Sequence, residues 1–266
     1  MSALVRYEAR KAPTRRLTEQ QLRHEIIQIC RLLHQQGYCL GYDGNVSARL
    51  DSERFLVTPS GVGKAFVRAD QLVTVNWEGN LTGQGRYGPQ RGLKPSSEVL
   101  LHLEAYRQRP DVQSVIHAHP PLAIALSIAG ISLARCLLPD IILYFGLIPT
   151  TDYATPASVE GVKAISDLIK RYDALILQRH GSVTVGPTIT DAYLKLEKLE
   201  HTALITKTVV DLGREKPFPQ EEIAKLVDWR KDVGLMRPGQ AEDLCAACGV
   251  CNLLGATTCR VDGGER

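Results

Sequence analysis

The chain has 266 residues, 44% of them apolar and 23% charged, with a net charge of +3. A chain of this length and balance can bury its own core without disulfides, and so mild a basic excess argues against a nucleic-acid partner. No run reaches the roughly 18 apolar residues that span a bilayer, so no membrane partner is expected and the expected location is cytoplasmic.

Residues 1–16 hold Arg6, Arg10, Lys11, Arg15 and Arg16 without the apolar stretch of a signal peptide, and read as a basic N-terminal arm. Residues 17–37 have helical periodicity, with Thr18 as the cap and Gly37 as the stop. Residues 45–50, 54–58 and 71–77 read as strands, and the Gly-, Pro- and Arg-rich stretch 83–95 as an irregular loop. Ser96 or Ser97 can cap a helix over 98–107. A buried strand over 114–118 and a helix over 121–130 come next. Residues 138–147 and 148–151 read as a strand pair, and 158–172 as an amphipathic helix. Strands over 174–178 and 183–185 lead into a long helix over 190–212. The pattern predicts an α/β sandwich of mixed strands and helices, in one domain over 17–236 followed by a tail over 237–266.

The candidate chemistry gathers at strand ends. In Val115-Ile116-His117-Ala118-His119 the histidines are two apart, so both face one side of a strand and can reach one ion. His180 follows another apolar strand, and Gly181 lets the chain turn beside it. Three imidazoles with an open fourth position suit a catalytic divalent metal, zinc above all. Glu98 near a helix start is either a cap or, beside a metal, a ligand that shuttles protons. Asn45, Thr58-Pro59-Ser60-Gly61 and Ser96-Ser97 offer small donors and backbone amides that can hold a phosphate if they converge.

Asp43-Gly44-Asn45-Val46-Ser47-Ala48-Arg49, Thr58-Pro59-Ser60-Gly61, Ser96-Ser97-Glu98, His117-Ala118-His119-Pro120 and His180-Gly181 stand in the order found in class II aldolases. Over roughly residues 20–236 the chain resembles the aldolase/adducin family, nearest to the branch that cleaves fuculose-1-phosphate. The resemblance implies a three-layer α/β/α fold with a mostly antiparallel central sheet, and a homotetramer with sites between subunits. It implies zinc on His117, His119 and His180, with Glu98 as a ligand that doubles as acid and base. It implies a phosphate cradle from Gly44, Asn45, Ser60, Gly61, Ser96 and Ser97. The implied reaction is cleavage of a small ketose 1-phosphate to dihydroxyacetone phosphate and an aldehyde. An epimerase or dehydratase acting on a pentulose phosphate, and an adducin-like scaffold, are the alternatives. Glu98, where the epimerase branch carries Asp, favours cleavage, and the complete histidine set disfavours a scaffold. The pattern departs where the aldolases carry two tyrosines: Leu138, with Asp140 and Tyr144 nearby, and Val233. Tyr42 replaces a small hydroxyl residue beside the phosphate loop.

The tail lies outside the resemblance. Cys245, Cys248, Cys251 and Cys259 begin like an iron–sulfur run but lack its close fourth cysteine and following proline. They can hold a second metal or a cluster. Alternatively, Leu244, Cys248, Cys251 and Leu254 form the apolar face of a short helix that docks on another protein.

Overall fold

A computed structural model describes residues 17–82, 92–216 and 218–248 of the chain. Helix α1 (Glu19–Gln35) starts at Thr18, whose hydroxyl accepts the Gln21 amide while the Gln21 side chain accepts the Thr18 amide. This reciprocal box satisfies two amides that a helix start leaves open. The strands β1 (Asn45–Arg49), β2 (Phe55–Val57), β3 (Val73–Val75), β4 (Ser114–Ala118), β5 (Ala174–Leu177) and β6 (Gly181–Gly186) form one sheet in the order β3-β2-β1-β4-β6-β5. Every neighbouring pair is antiparallel.

Side chains alternate across the sheet. Val46, Ala48, Ile116 and Ala118 face a core made with α1 and with the long helix α6 (Ile189–Leu212). Val115, Leu175, Val183 and Val185 face the other core, made with helices α2 (Val99–Gln108) and α5 (Val159–Ile169). Two helix layers thus sandwich the sheet, as the family resemblance implies. Each fully buried Val, Leu or Ile contributes roughly 1.5–3 kcal/mol to this arrangement. Helix α3 (Pro121–Ile128) and helix α4 (Pro139–Tyr144) complete the α6 side through Ala123, Leu126 and Ile141. Among the described residues no helix is long and apolar enough to cross a membrane.

Two expectations about the elements need correction. Residues 138–147 are not a strand: Pro139 opens α4, whose Ile141 and Ile142 enter two different cores. A short apolar run buried on both sides carries no period that separates strand from helix. Helix α2 is not capped by Ser96 or Ser97. Glu98 itself occupies the cap, its side chain making no cap hydrogen bond, and Ser96 Oγ accepts the Glu98 amide at 3.3 Å. Two C-terminal helices, α7 (Gln220–Asp232) and α8 (Gln240–Cys248), complete the element order. Ile223 and Val227 of α7 and Leu244 of α8 join the core of α2 and α5.

Helix α8 is fastened to the body. The Tyr172 hydroxyl donates to Asp243 at 2.6 Å, Arg171 pairs with Asp243, and buried Gln240 donates to the Arg171 carbonyl. Residues on both sides of position 236 are therefore packed together, and Leu244 joins the core of α2 and α5. Cys245 and Cys248 belong to α8, while Cys251 and Cys259 lie outside the described residues.

Candidate metal centre

β4 places His117 on the α2 side of the sheet, paired directly with Asn45 of β1 and Val183 of β6. His119 follows two residues later on the same side. His180 comes from the tight β5–β6 turn, where its amide donates to Leu177 O at 3.0 Å and Arg179 takes the left-handed φ of 60°. That conformation costs a non-glycine residue about 1–2 kcal/mol. The Arg179 amide is held by Ser127 Oγ at 3.0 Å. Gly181 is required: a Cβ there would lie 2.4 Å from Ala118 O and 3.0 Å from each of the His117 and His119 rings. Gly44, at φ +68°, is equally constrained, since a Cβ would meet Cys39 Sγ at 2.2 Å and His117 O at 2.9 Å.

The three histidines offer ring nitrogens within 4.8 Å of one another, the one group of this kind among the described residues. His117 Nδ1 lies 2.9 Å from Ser182 O, and a carbonyl only accepts, so Nδ1 carries the proton and Nε2 presents a lone pair. His119 Nδ1 lies 3.4 Å from Asp43 Oδ2, which favours the same tautomer. The two Nε2 atoms then face each other at 3.1 Å. Two lone pairs that close repel unless a cation stands between them, so the donor set fits a divalent metal.

The Glu98 carboxylate closes the cluster. Oε2 is 3.1 Å from His117 Nε2 and accepts Asn45 Nδ2 at 3.3 Å, while Oε1 is 3.4 Å from His180 Nε2. Oε1 and Asn45 Oδ1 are buried without hydrogen-bond partners, so the cluster has acceptors to spare. Burial opposes ionisation of Glu98, but the neighbouring imidazoles and the Asn45 amide outweigh it and hold the carboxyl at about 2. Burial and His117 push His180 down to about 4 and lower His119, despite the opposing pull of Glu98 and Asp43. At neutral pH these two rings are neutral and the carboxylate is charged.

The loops at Thr58-Pro59-Ser60-Gly61 and Ser96-Ser97 are joined to each other. Ser60 N donates to Lys94 O at 2.9 Å, and Pro59 bridges Pro95, which joins the two loops. Thr58 N donates to Val46 O, which ties both to β1 beside Asn45. Ser60, Gly61 and Ser97 are exposed there, and Ser96 is buried. A narrow cleft lined by Ser97, Glu98, Thr151, Thr155, Ser158 and His180 opens beside the carboxylate.

The positions that replace the family tyrosines stay outside this cluster. Leu138 caps α4, Val233 ends α7 and Asp140 pairs with Lys198. Sequence reasoning overlooked Lys64, His102 and Ser47. Lys64 is buried and donates to Tyr42 O and Val62 O, linking the loop before Gly44 to the loop after Gly61. His102 lies one helical turn after Glu98, a spacing that could have drawn notice.

The class II aldolase and adducin N-terminal domain model matches residues 24–206. An L-fuculose phosphate aldolase of Methanococcus vannielii is 33% identical over 71% of this chain and 98% of its own length. A 3-oxo-tetronate 4-phosphate decarboxylase of Haemophilus influenzae is 30% identical over 69% of this chain and 86% of its own. The crystal structure of YgbL from Klebsiella pneumoniae superposes with a TM-score of 0.70 at 30% identity, covering 79% of this chain and all of the other. The chain belongs to the class II aldolase and adducin family and is one of its enzymes.

Proposed function

We propose that the chain is a metal-dependent aldolase that cleaves a small ketose 1-phosphate of the fuculose-1-phosphate kind to dihydroxyacetone phosphate and an aldehyde. One observation carries the reading: an ionised, half-orphaned Glu98 lies against three converging imidazoles, beside joined loops rich in small donors. A divalent ion, zinc by its nitrogen donors, would be held by His117, His119 and His180 and supply Lewis-acid polarisation of the substrate carbonyl. Gly44, Asn45, Ser60, Gly61, Ser96 and Ser97 receive the phosphate. The hydroxyl β to the ketone loses its proton, the carbon–carbon bond between them breaks, and its electron pair moves onto the ketone oxygen as an enediolate. Glu98, ionised at the outset, takes up the proton that the hydroxyl releases and delivers it to the enediolate carbon, giving dihydroxyacetone phosphate.

The Haemophilus relative supports a second reading. Loss of carbon dioxide from a 3-oxo-tetronate 4-phosphate leaves the same enediolate, and the same protonation gives the same product. The two readings differ only in the fragment expelled. Metal-loaded protein is therefore offered ketose 1-phosphates and 3-oxo sugar-acid phosphates, and dihydroxyacetone phosphate, aldehyde and carbon dioxide are measured. Aldehyde release supports the aldolase, carbon dioxide the decarboxylase, and no dihydroxyacetone phosphate from any substrate refutes both. A homotetramer with sites between subunits belongs to the same proposal, as does a cytoplasmic location; sedimentation of the purified chain tests the first.

A further inference from the structure

His102 is 1% exposed and has no part in the reaction just described. Its surroundings repeat those of Glu98. Asn45 and Ser47 are two apart on one face of β1, and Glu98 and His102 are one turn apart at the start of α2. Asn45 donates to Glu98 at 3.3 Å, and Ser47 Oγ lies 2.7 Å from His102 Nδ1. The strand and helix spacings match, so His102 sits one rung below the carboxylate.

The proton inventory fixes the imidazole. Tyr106 Oη lies 2.8 Å from Ser47 Oγ, and Tyr106 is 1% exposed. If Tyr106 donates to Ser47 and Ser47 donates to His102 Nδ1, both hydroxyl protons are used. The reverse direction strands the phenol proton in the core. The first arrangement leaves His102 neutral with its proton on Nε2. Nε2 is buried without a partner, as is Glu98 Oε1. A donor without an acceptor and an acceptor without a donor stand on adjacent rungs.

We propose that His102 is a positioning residue: its Nε2–H receives the Glu98 carboxylate when that group swings off the histidine cluster to exchange its proton. The inference rests on the acid–base reading of Glu98. A charge-assisted hydrogen bond gives the carboxylate a fixed second position in a buried region where an unpaired charge is costly.

The test uses the full metal-loaded chain with 15N-labelled histidine and the ketose 1-phosphate it cleaves. Nitrogen shifts should report His102 as the neutral Nε2–H tautomer. His102→Phe should lower kcat about 10- to 100-fold while KM and bound metal change less than about twofold, and His102→Gln, which restores an N–H, should recover much of the loss. An Nδ1–H tautomer, an unchanged kcat in His102→Phe, or metal lost in step with kcat would each overturn the proposal. If His102→Phe does not fold, Ser47→Ala serves: it should shift the tautomer and slow kcat, and a variant unchanged in both refutes the relay. A fully active Glu98→Gln would overturn the acid–base reading itself. An impaired Glu98→Gln beside a normal His102→Phe would overturn only the role of His102.

Discussion

The two ends of the β5–β6 hairpin carry polar clusters of opposite character. At the turn, His180 joins His117, His119 and Glu98, and their acceptors outnumber the donors that face them. At the open end, Asp173 contacts Lys195 at 3.0 Å, Arg109 at 3.0 Å and Arg237 at 2.9 Å. Asp191 pairs with Lys195 and Asp111 with Arg109, so three carboxylates answer three cations. One end is electrically complete within the chain, and the other completes itself only by taking up a cation. The first arrangement holds elements together; the second leaves them poised for a ligand. The Asp173 cluster joins α2, α6 and Arg237 just before α8, and it is this end that anchors the C-terminal helices.

The comparison breaks most visibly if the histidine end does not need a cation. His117→Ala leaves two imidazoles and should reduce both bound metal and turnover to background, measured by metal analysis after chelation and reloading. Full occupancy in this variant would mean that the ion sits elsewhere. Glu98→Gln separates holding from chemistry: the amide keeps the shape but takes up no proton. Turnover should fall on the order of 10²- to 10⁴-fold while most metal stays bound. Near-normal turnover would reduce Glu98 to a structural residue at the start of α2.

The Asp173 end should fail in the opposite way. Asp173→Asn leaves three clustered cations facing two carboxylates and should cost about 3–5 kcal/mol in denaturant unfolding, with kcat unchanged where the variant is folded. Burial disfavours ionised Asp173, but Lys195, Arg237 and Arg109 together hold its carboxyl well below its usual value. Because the folded group titrates lower than the unfolded one, its contribution is complete above about pH 4 and is lost as pH falls through the folded value. Unfolding curves of the parent should weaken steeply below about pH 4, and those of Asp173→Asn less steeply. Equal acid sensitivity in both would show that other carboxylates set the limb.

The contrast also explains what could be read from the sequence. His117 and His119 show themselves through the strand period, and His180 through the apolar strand before it. The loops at Ser60 and Ser96 read only as turns, because their meeting depends on the bridge between Pro59 and Pro95. The departures from the class II aldolase pattern at Leu138 and Val233 were visible, but not that Asp140 is held by Lys198 on α6. The anchoring of α8 was hidden for the same reason: Asp243 meets Tyr172 across 71 positions of sequence. Charge-rich α7 shows little apolar period, since Ile223 and Val227 supply most of its buried face. His102 differs again. Its spacing from Glu98 is plain, but its meaning lies in the direction of two hydroxyl protons.

The smallest expected effect belongs to the rim of the histidine end. Ser97 is exposed, lines the cleft next to Glu98, and follows Ser96 in the loop that pairs with the Ser60 loop. Its hydroxyl can donate to a phosphate without touching the metal ligands. A hydrogen bond to a charged group contributes about 1.5–3 kcal/mol, and solvent at the rim keeps the value at the low end. Ser97→Ala should therefore raise KM for the phosphorylated ketose about tenfold, with kcat and metal content close to the parent. The same variant should leave KM for the unphosphorylated ketose unchanged, however poor that substrate is. A parallel rise in both constants would place Ser97 on the sugar rather than the phosphate. No rise in either would remove the Ser97 loop from the cradle and leave the phosphate to Asn45, Ser60 and the amide of Gly61.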